Sequence, residues 1–100
     1  IYGAYHHASI INRSKKTEYV TLVGSICENN DQLARDRLLP KCSPGDLAVI
    51  HNAGGHSFAM GHNYNGKPRH AEYLWRLNGK IKLIRTTETI QDLFSHTNLE

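Results

Sequence analysis

The sequence predicts a mainly β fold: a small β-barrel or sandwich with Greek-key-like connections and a short C-terminal helix. The apolar stretches are short and rich in β-branched and aromatic residues, which favour strands. Turn-forming residues separate these stretches at short intervals. The dipeptide Asn78-Gly79 joins two of the stretches and is typical of a type I′ β-hairpin.

The first half of the chain is predicted to hold three strand regions and a short helical segment. Residues 1–11 favour a strand after an irregular start, and residues 17–26 favour a second strand that pairs with it as a hairpin. Residues 30–40 are interrupted by charges and are predicted as a loop with a short strand or a turn of helix. Residues 47–51 form a short buried strand, and residues 57–62 follow as one or two helical turns.

The second half is predicted to contain one hairpin and one helix. Residues 71–77 and 80–85 are the two strands of the hairpin. Residues 87–94 form the C-terminal helix, in which Thr89 and Asp92 have the spacing of a capping box.

Composition excludes several classes of protein. The chain has 100 residues, 39% hydrophobic and 21% charged, with a formal net charge of +3, which is an ordinary globular composition for one domain. No apolar run approaches the roughly 20 residues that span a bilayer. Basic residues are scattered, so neither a nucleic-acid nor a membrane patch is indicated. With only Cys27 and Cys42 and no sign of secretion, we expect reduced thiols in a cytosolic protein.

Cys27 is the side chain that attracts a catalytic interpretation. Small and apolar residues precede it, Glu28 follows, and an Asn-Asn-Asp turn signal comes next, which predicts a strand that opens into a loop. On residue type alone, a lone cysteine is more often a small buried hydrophobe than a catalyst. The seven histidines have no recognised metal-ligand spacing, and the Gly54-Gly55 pair alone is more often a turn than a phosphate cradle.

Several motifs together change that balance. In chain order they are Cys27-Glu28-x-x-Asp31, Leu33-Ala34-Arg35-Asp36-Arg37-Leu38-Leu39-Pro40, Pro44-Gly45-Asp46-Leu47, Asn52-Ala53-Gly54-Gly55-His56, Asn63-Tyr64-Asn65-Gly66-x-Pro68-Arg69-x-Ala71-Glu72 and Leu83-Ile84-Arg85-x-x-Glu88-Thr89-x-x-Asp92-Leu93. With them, almost the whole chain resembles the C-terminal domain of the diaminopimelate decarboxylase family. That family belongs to the pyridoxal-phosphate-dependent group that includes ornithine and arginine decarboxylases.

The resemblance implies a specific set of roles. Residues 1–100 would be the C-terminal β-domain of a two-domain enzyme whose N-terminal (β/α)₈ barrel binds pyridoxal phosphate on a lysine. Cys27 and Glu28 would reach into the active site of the partner subunit in a homodimer. There Cys27 would be the proton donor and Glu28 would contact the substrate, as would Tyr2. His56 stands where the family usually has a tyrosine that touches the cofactor phosphate and the substrate, so this position departs from the family pattern.

The resemblance also implies partners and a substrate. The chain, which begins at Ile1, is expected to be one piece of the enzyme, inactive alone because the barrel is missing. The expected reaction is decarboxylation of meso-diaminopimelate to L-lysine, and we expect apolar surface around Tyr2, Cys27 and Tyr64 to cause self-association. Two alternatives remain: a decarboxylase of another basic amino acid (ornithine, arginine or carboxynorspermidine), and a non-catalytic β-domain that serves as a binding module.

Overall fold

A computed structural model describes residues 3–98, and the secondary structure over those residues is mainly β. Its strands are β1 (Ala8–Ile10), β2 (Glu18–Val23), β3 (Gln32–Leu39), β4 (Ala48–Ile50), β5 (Glu72–Trp75) and β6 (Ile81–Arg85). Its helical segments are α1 (Gly54–Ser57), a 3-10 turn (Tyr64–Gly66) and α2 (Ile90–Leu93). The prediction of a mainly β domain with a short C-terminal helix is therefore confirmed.

The strands form antiparallel pairs. β1 pairs with β4, β2 with β3 and β5 with β6, and each pair is a separate two-stranded sheet. Over residues 3–98 no hydrogen-bonded ladder joins these pairs into a closed barrel. Over the same range, no helix is both long enough and apolar enough to cross a lipid bilayer.

The predicted hairpin between the first two strands is wrong. β1 pairs with β4, with Ser9 opposite Val49, and the ladder is extended by the His51 amide, which donates to the His7 carbonyl oxygen at 2.8 Å. β2 pairs instead with β3. β1 is only three residues long, whereas β3 offers β2 a partner of eight residues, which supplies more ladder hydrogen bonds.

Residues 30–40 were predicted as a loop with a short strand or a turn of helix, but most of them form the eight-residue strand β3. The geometry of β3 explains why its sequence does not look like a strand. Val20 lies opposite Arg37 and Leu22 opposite Ala34, so two steps on β2 match three steps on β3. This irregularity is a β-bulge, and Asp36 within it has φ of 50°, in the left-handed region. The extra residue shifts the inward-facing positions from Ala34 to Arg37 and Leu39. The bulge therefore breaks the period of two that identifies a strand in a sequence.

The chain divides into two compact units, Ile1–Ala53 and Gly54–Glu100. The first unit has a small apolar core in which four side chains are buried. They are Ala8, Ile10, Ala34 and Leu39, and the half-buried side chains packed against them are Val20, Leu22 and Ile50. In the second unit, no residue among 54–98 is buried.

The hairpin of β5 and β6 is confirmed, although its turn differs from the one predicted. A type I′ turn requires positive φ at both central residues, but only Gly79 has it, with φ of 78°. The Gly79 amide donates to the Arg76 carbonyl oxygen, and the Arg76 amide donates to the Lys80 carbonyl oxygen, each at 2.9 Å. The loop is therefore a three-residue turn that ends in a left-handed glycine.

The two predicted helical segments are both present with shifted bounds. α1 begins at Gly54, before the predicted residues 57–62, and hydrogen-bonded turns continue after it to Gly61. α2 has Thr89 as its N-cap, and the predicted capping box is confirmed. The Thr89 amide donates to Asp92 Oδ2 at 2.6 Å, and the Asp92 amide donates to Thr89 Oγ1 at 3.3 Å.

Candidate functional site

Cys27 lies on an exposed loop between β2 and β3, which we name the thiol loop and define as residues 24–31. The Gly24 amide donates to the Asp31 carbonyl oxygen at 2.9 Å, so the ends of the loop are joined by one backbone hydrogen bond. The Asp31 amide donates to the Glu28 carbonyl oxygen at 3.0 Å. The thiol is exposed and not disulfide-bonded, and this exposure is the opposite of what a small buried hydrophobe would show.

Glu28 shares the thiol loop with Cys27 and is exposed. Its Oε1 accepts a hydrogen bond from the Asn30 amide at 2.9 Å. Gln32 at the start of β3 also restrains the loop, because its side-chain amide donates a hydrogen bond to the Asn29 carbonyl oxygen at 3.1 Å. These bonds hold a carboxylate and a thiol on one short, solvent-accessible segment.

The other two predicted site residues are not brought onto this loop. His56 lies in the second unit, within the one-turn helix α1, where it is exposed. Its carbonyl oxygen accepts from the Met60 amide at 2.9 Å. Asn52, just before α1, has φ of 55°, a left-handed conformation that asparagine adopts more readily than most residues. Tyr2 lies outside the described residues.

The second unit contains a polar cluster that the sequence reasoning did not single out. Glu88 Oε2 accepts from the Arg69 amide and from Asn63 Nδ2, both at 2.7 Å. Glu88 Oε1 accepts from Arg69 Nε at 2.6 Å. The Glu88 amide in turn donates to the Arg69 carbonyl oxygen at 2.9 Å. We name the cluster of Asn63, Arg69 and Glu88 the carboxylate clasp.

The clasp strongly favours the ionised carboxylate. Hydrogen bonds from the Arg69 side chain and backbone, followed by the bond from Asn63, lower the pKa of Glu88 from 4.5 to about 2. Asn63 Nδ2 also donates to the Lys67 carbonyl oxygen at 3.0 Å, so the clasp fixes both ends of the Tyr64–Gly66 turn. The opposite charges of Arg69 and Glu88 were visible in the sequence, but nothing in it pairs residues 19 positions apart.

A cleft of about 550 Å³ lies beside the clasp within the second unit. The Phe58 ring in its wall is in contact with two guanidiniums, that of Arg85 at 3.7 Å and that of Arg69 at 4.4 Å from the ring centroid. Arg85 is bound to Glu72 and Arg69 to Glu88, so carboxylates of this chain engage both cations. Over residues 3–98, no three histidine, cysteine or acidic side chains form a group that could hold a metal ion.

Comparison with known proteins gives concordant results. A family model described as the C-terminal sheet domain of pyridoxal-dependent decarboxylases matches residues 1–54. The diaminopimelate decarboxylase of Methanothermobacter thermautotrophicus is 42% identical over 99% of this chain, and Protein TabA of Pseudomonas amygdali pv. tabaci is 46% identical over 92%. The crystal structure of diaminopimelate decarboxylase from M. jannaschii superposes over 100% of the chain with a TM-score of 0.88 and 34% identity.

The similarity covers only part of each relative. The chain spans 23% of the M. thermautotrophicus protein, 22% of Protein TabA and 23% of the crystallised M. jannaschii chain. It therefore corresponds to about a quarter of the length of the proteins that it matches.

Proposed function

We propose, because this chain belongs to the C-terminal sheet-domain family of pyridoxal-dependent decarboxylases, that it serves as the C-terminal β-domain, residues 1–100, of an enzyme that decarboxylates meso-diaminopimelate to L-lysine. The observation that carries the proposal is the 42% identity to a diaminopimelate decarboxylase over 99% of the chain. The predicted resemblance to this family is thereby confirmed, whereas the reaction and its substrate are proposals.

Cys27 is the proton donor in this proposal. Loss of CO₂ breaks a carbon–carbon bond and leaves an electron pair that must take up a proton at the α-carbon. Pyridoxal phosphate, when bound, supplies the electron sink that makes this bond cleavage possible. A thiol is mostly protonated near neutral pH and can act as a general acid. The exposed position of Cys27 on the thiol loop supports this role, since the thiol can reach a substrate held by another part of the enzyme.

Glu28, Tyr2 and His56 have supporting roles in the proposal. The exposed carboxylate of Glu28 can accept charge-assisted hydrogen bonds from the distal ammonium of the substrate. Tyr2 contacts the substrate as well. His56 takes the place of the family tyrosine and donates a hydrogen bond to the substrate or to the cofactor phosphate. The exposure of its imidazole supports this contact.

The cofactor would be held mainly by an N-terminal barrel domain. In the second unit, the two arginines that line the cleft are already engaged by Glu72 and Glu88, so they do not offer an unpaired cationic site for a phosphate. His56 is exposed and its chemistry fits a phosphate contact. The proposal therefore gives this chain one contact to pyridoxal phosphate and leaves the lysine and most of the binding to the barrel.

The proposed partners are the N-terminal barrel of the same enzyme and a second subunit. One apolar face of the β5–β6 hairpin supports a macromolecular partner. Tyr73 lies opposite Leu83 and Trp75 opposite Ile81, so all four side chains point to the same face, and they are 46% to 77% exposed. We name these four residues the hairpin face. An apolar patch of this kind is typical of an interface. We also propose a cytoplasmic location, which is supported by the absence of a disulfide between Cys27 and Cys42.

His56 favours a second candidate within the same reaction class. An imidazole is shorter than a phenol and can carry a charge, which changes what the site accepts. A protein that prefers ornithine, arginine or carboxynorspermidine would fit this departure from the family pattern. A non-catalytic binding module is the remaining alternative.

A substrate panel tests the proposal. The full-length protein loaded with pyridoxal phosphate is incubated with each candidate amino acid, and CO₂ release and product are measured. We expect release from meso-diaminopimelate with formation of lysine. Release only from another basic amino acid would establish the second candidate instead. No release from any of them, in a protein that binds the cofactor, would contradict the decarboxylase proposal.

A further inference from the structure

The thiol loop contains a close contact that the catalytic proposal does not use. The carboxylate of Asp31 occupies the space next to the Cα of Gly24 where a side chain would begin, and a Cβ built at residue 24 overlaps all three carboxylate atoms. Real Cβ atoms essentially never make such contacts, so a larger residue at position 24 requires Asp31 to move.

The constraint at position 24 comes from this contact and not from the backbone conformation. The glycines with positive φ among the described residues are Gly3, Gly45, Gly66 and Gly79. Gly24 is not among them, so its backbone is accessible to other residue types. A side chain there would instead displace the Asp31 carboxylate, which is the end of a rotatable side chain.

Asp31 also connects to the backbone near the thiol. Its Oδ2 accepts a hydrogen bond from the Ile26 amide at 3.4 Å, one residue before Cys27. Its own amide donates to the carbonyl oxygen of Glu28, one residue after Cys27. Asp31 thus contacts the loop on both sides of the thiol and is itself half-buried.

We propose that Asp31 is a positioning residue for Cys27, and that a side chain at position 24 would displace the Asp31 carboxylate from this position. The inference rests on the proposed role of Cys27 as proton donor. In this arrangement the carboxylate acts as an internal brace of the thiol loop. It sets where the thiol lies, although it does not itself touch the substrate or donate the proton.

The test compares four variants of the full-length enzyme: Gly24→Ala, Asp31→Ala, Asp31→Asn and the double variant Gly24→Ala/Asp31→Ala. Displacement of a catalytic group by about 1 Å can cost about 100-fold in rate, so we expect Gly24→Ala to lower kcat by a factor of that order. We expect Asp31→Ala to lower kcat as well. Asp31→Asn keeps the shape and one acceptor oxygen, and we expect it to retain most of the activity.

The double variant identifies the steric contact. When the carboxylate has been removed, an alanine at position 24 has space, so Gly24→Ala should cost at least about threefold less in the Asp31→Ala background than in the wild type. Equal costs in both backgrounds would contradict the proposal, as would full activity of Asp31→Ala.

Alkylation of the thiols separates this inference from the proposed function. The rates at which iodoacetamide modifies Cys27 and Cys42 are measured in the same sample, with Cys42 as the internal control for general unfolding. Cys42 lies outside the thiol loop, and its thiol donates to the Pro40 carbonyl oxygen at 3.1 Å. We expect Gly24→Ala and Asp31→Ala to change the ratio of the two rates, and Asp31→Asn to leave it unchanged.

The two readouts fail in different ways. If the ratio of the alkylation rates changes in a protein that has no decarboxylase activity, the proposed function is wrong, but Asp31 still positions Cys27. If Asp31→Ala changes neither the alkylation ratio nor kcat in an active enzyme, Asp31 does not position Cys27, but the proposed function stands.

Discussion

The two units of the chain are stabilised in different ways. Residues 1–53 enclose an apolar core whose most buried member is Leu39, whereas none of residues 54–98 is buried. The second unit has instead the carboxylate clasp, the capping box of α2 and a hairpin with an exposed apolar face. The first unit is therefore stabilised by buried apolar side chains, whereas the second depends on polar contacts and leaves the apolar hairpin face exposed.

The largest expected effect is in the core of the first unit. Leu39 is 3% exposed, so Leu39→Ala removes buried methyl groups and should lower the free energy of unfolding by about 2–5 kcal/mol. Leu77→Ala is the matched control, since Leu77 is fully exposed and its loss should change stability by no more than about 0.5 kcal/mol. Denaturant unfolding measures both. Equal losses for the two variants would contradict the contrast.

The hairpin face gives the next largest effect. If the rest of the enzyme covers it, Trp75→Ala should destabilise the full-length protein by about 2 kcal/mol, as expected for a buried aromatic anchor. Leu77→Ala, at the tip of the same hairpin, is again the control. Acrylamide quenching of Trp75, taken as the difference from Trp75→Phe, should be weaker in the full-length protein than in residues 1–100 alone. Equal quenching in the two would mean that the face is uncovered.

The carboxylate clasp should make the second unit sensitive to acid. The pKa of Glu88 is lowered from 4.5 to about 2, so the ionised form stabilises the fold. This contribution is complete above pH 4.5 and is lost as the pH falls through about 2. Glu88→Gln should lack that part of the acid dependence, which hydrogen exchange over residues 63–69 can follow between those pH values.

The control for the clasp is Glu18→Gln, which removes an exposed carboxylate from β2. Hydrogen bonds from the Ser43 and Thr89 amides also lower the pKa values of Asp46 and Asp92. The Asp46 contribution remains in both variants, whereas Glu88→Gln also removes the nearby negative charge that raises the pKa of Asp92. An acid profile that is the same for Glu88→Gln and the wild type would show that the clasp does not stabilise this unit.

The smallest effect concerns α2. Thr89→Ala removes the N-cap hydroxyl and should cost about 1 kcal/mol, because the Asp92 amide then loses its partner. Thr89→Ser retains the hydroxyl and should be nearly neutral. Thermal unfolding of both variants checks the prediction, and a loss of the same size in Thr89→Ser would show that packing of the methyl group, and not the cap, is responsible.

Local signals in the sequence predicted the elements that depend on nearby residues. The β5–β6 hairpin, the strand β4 and the capping box of Thr89 and Asp92 all follow from neighbours along the chain. The pairing of β1 with β4 was not predicted, because long-range pairing depends on which strands meet in space. β3 was ambiguous because the bulge at Asp36 shifts its inward-facing positions.

The candidate site shows the same division. Adjacency in the sequence predicted that Cys27 and Glu28 share one loop, and the structure shows them there. It did not predict the contact of Asp31 with Gly24, since packing of a carboxylate against a backbone carbon leaves no periodic pattern. Nor did it predict the clasp, whose partners Arg69 and Glu88 lie on different elements. The roles of Cys27, Glu28, Tyr2 and His56 remain predictions.

The role of Cys27 is tested most directly by comparing Cys27→Ala with Cys42→Ala in the full-length, cofactor-loaded enzyme. Both replace an exposed cysteine that is not disulfide-bonded and that lies in the first unit, so losses of stability should be small and similar. We predict that Cys27→Ala lowers kcat for decarboxylation by about 100-fold or more, as loss of a general acid does, and that Cys42→Ala retains activity. A Cys27→Ala enzyme with the kcat of the wild type would contradict the account.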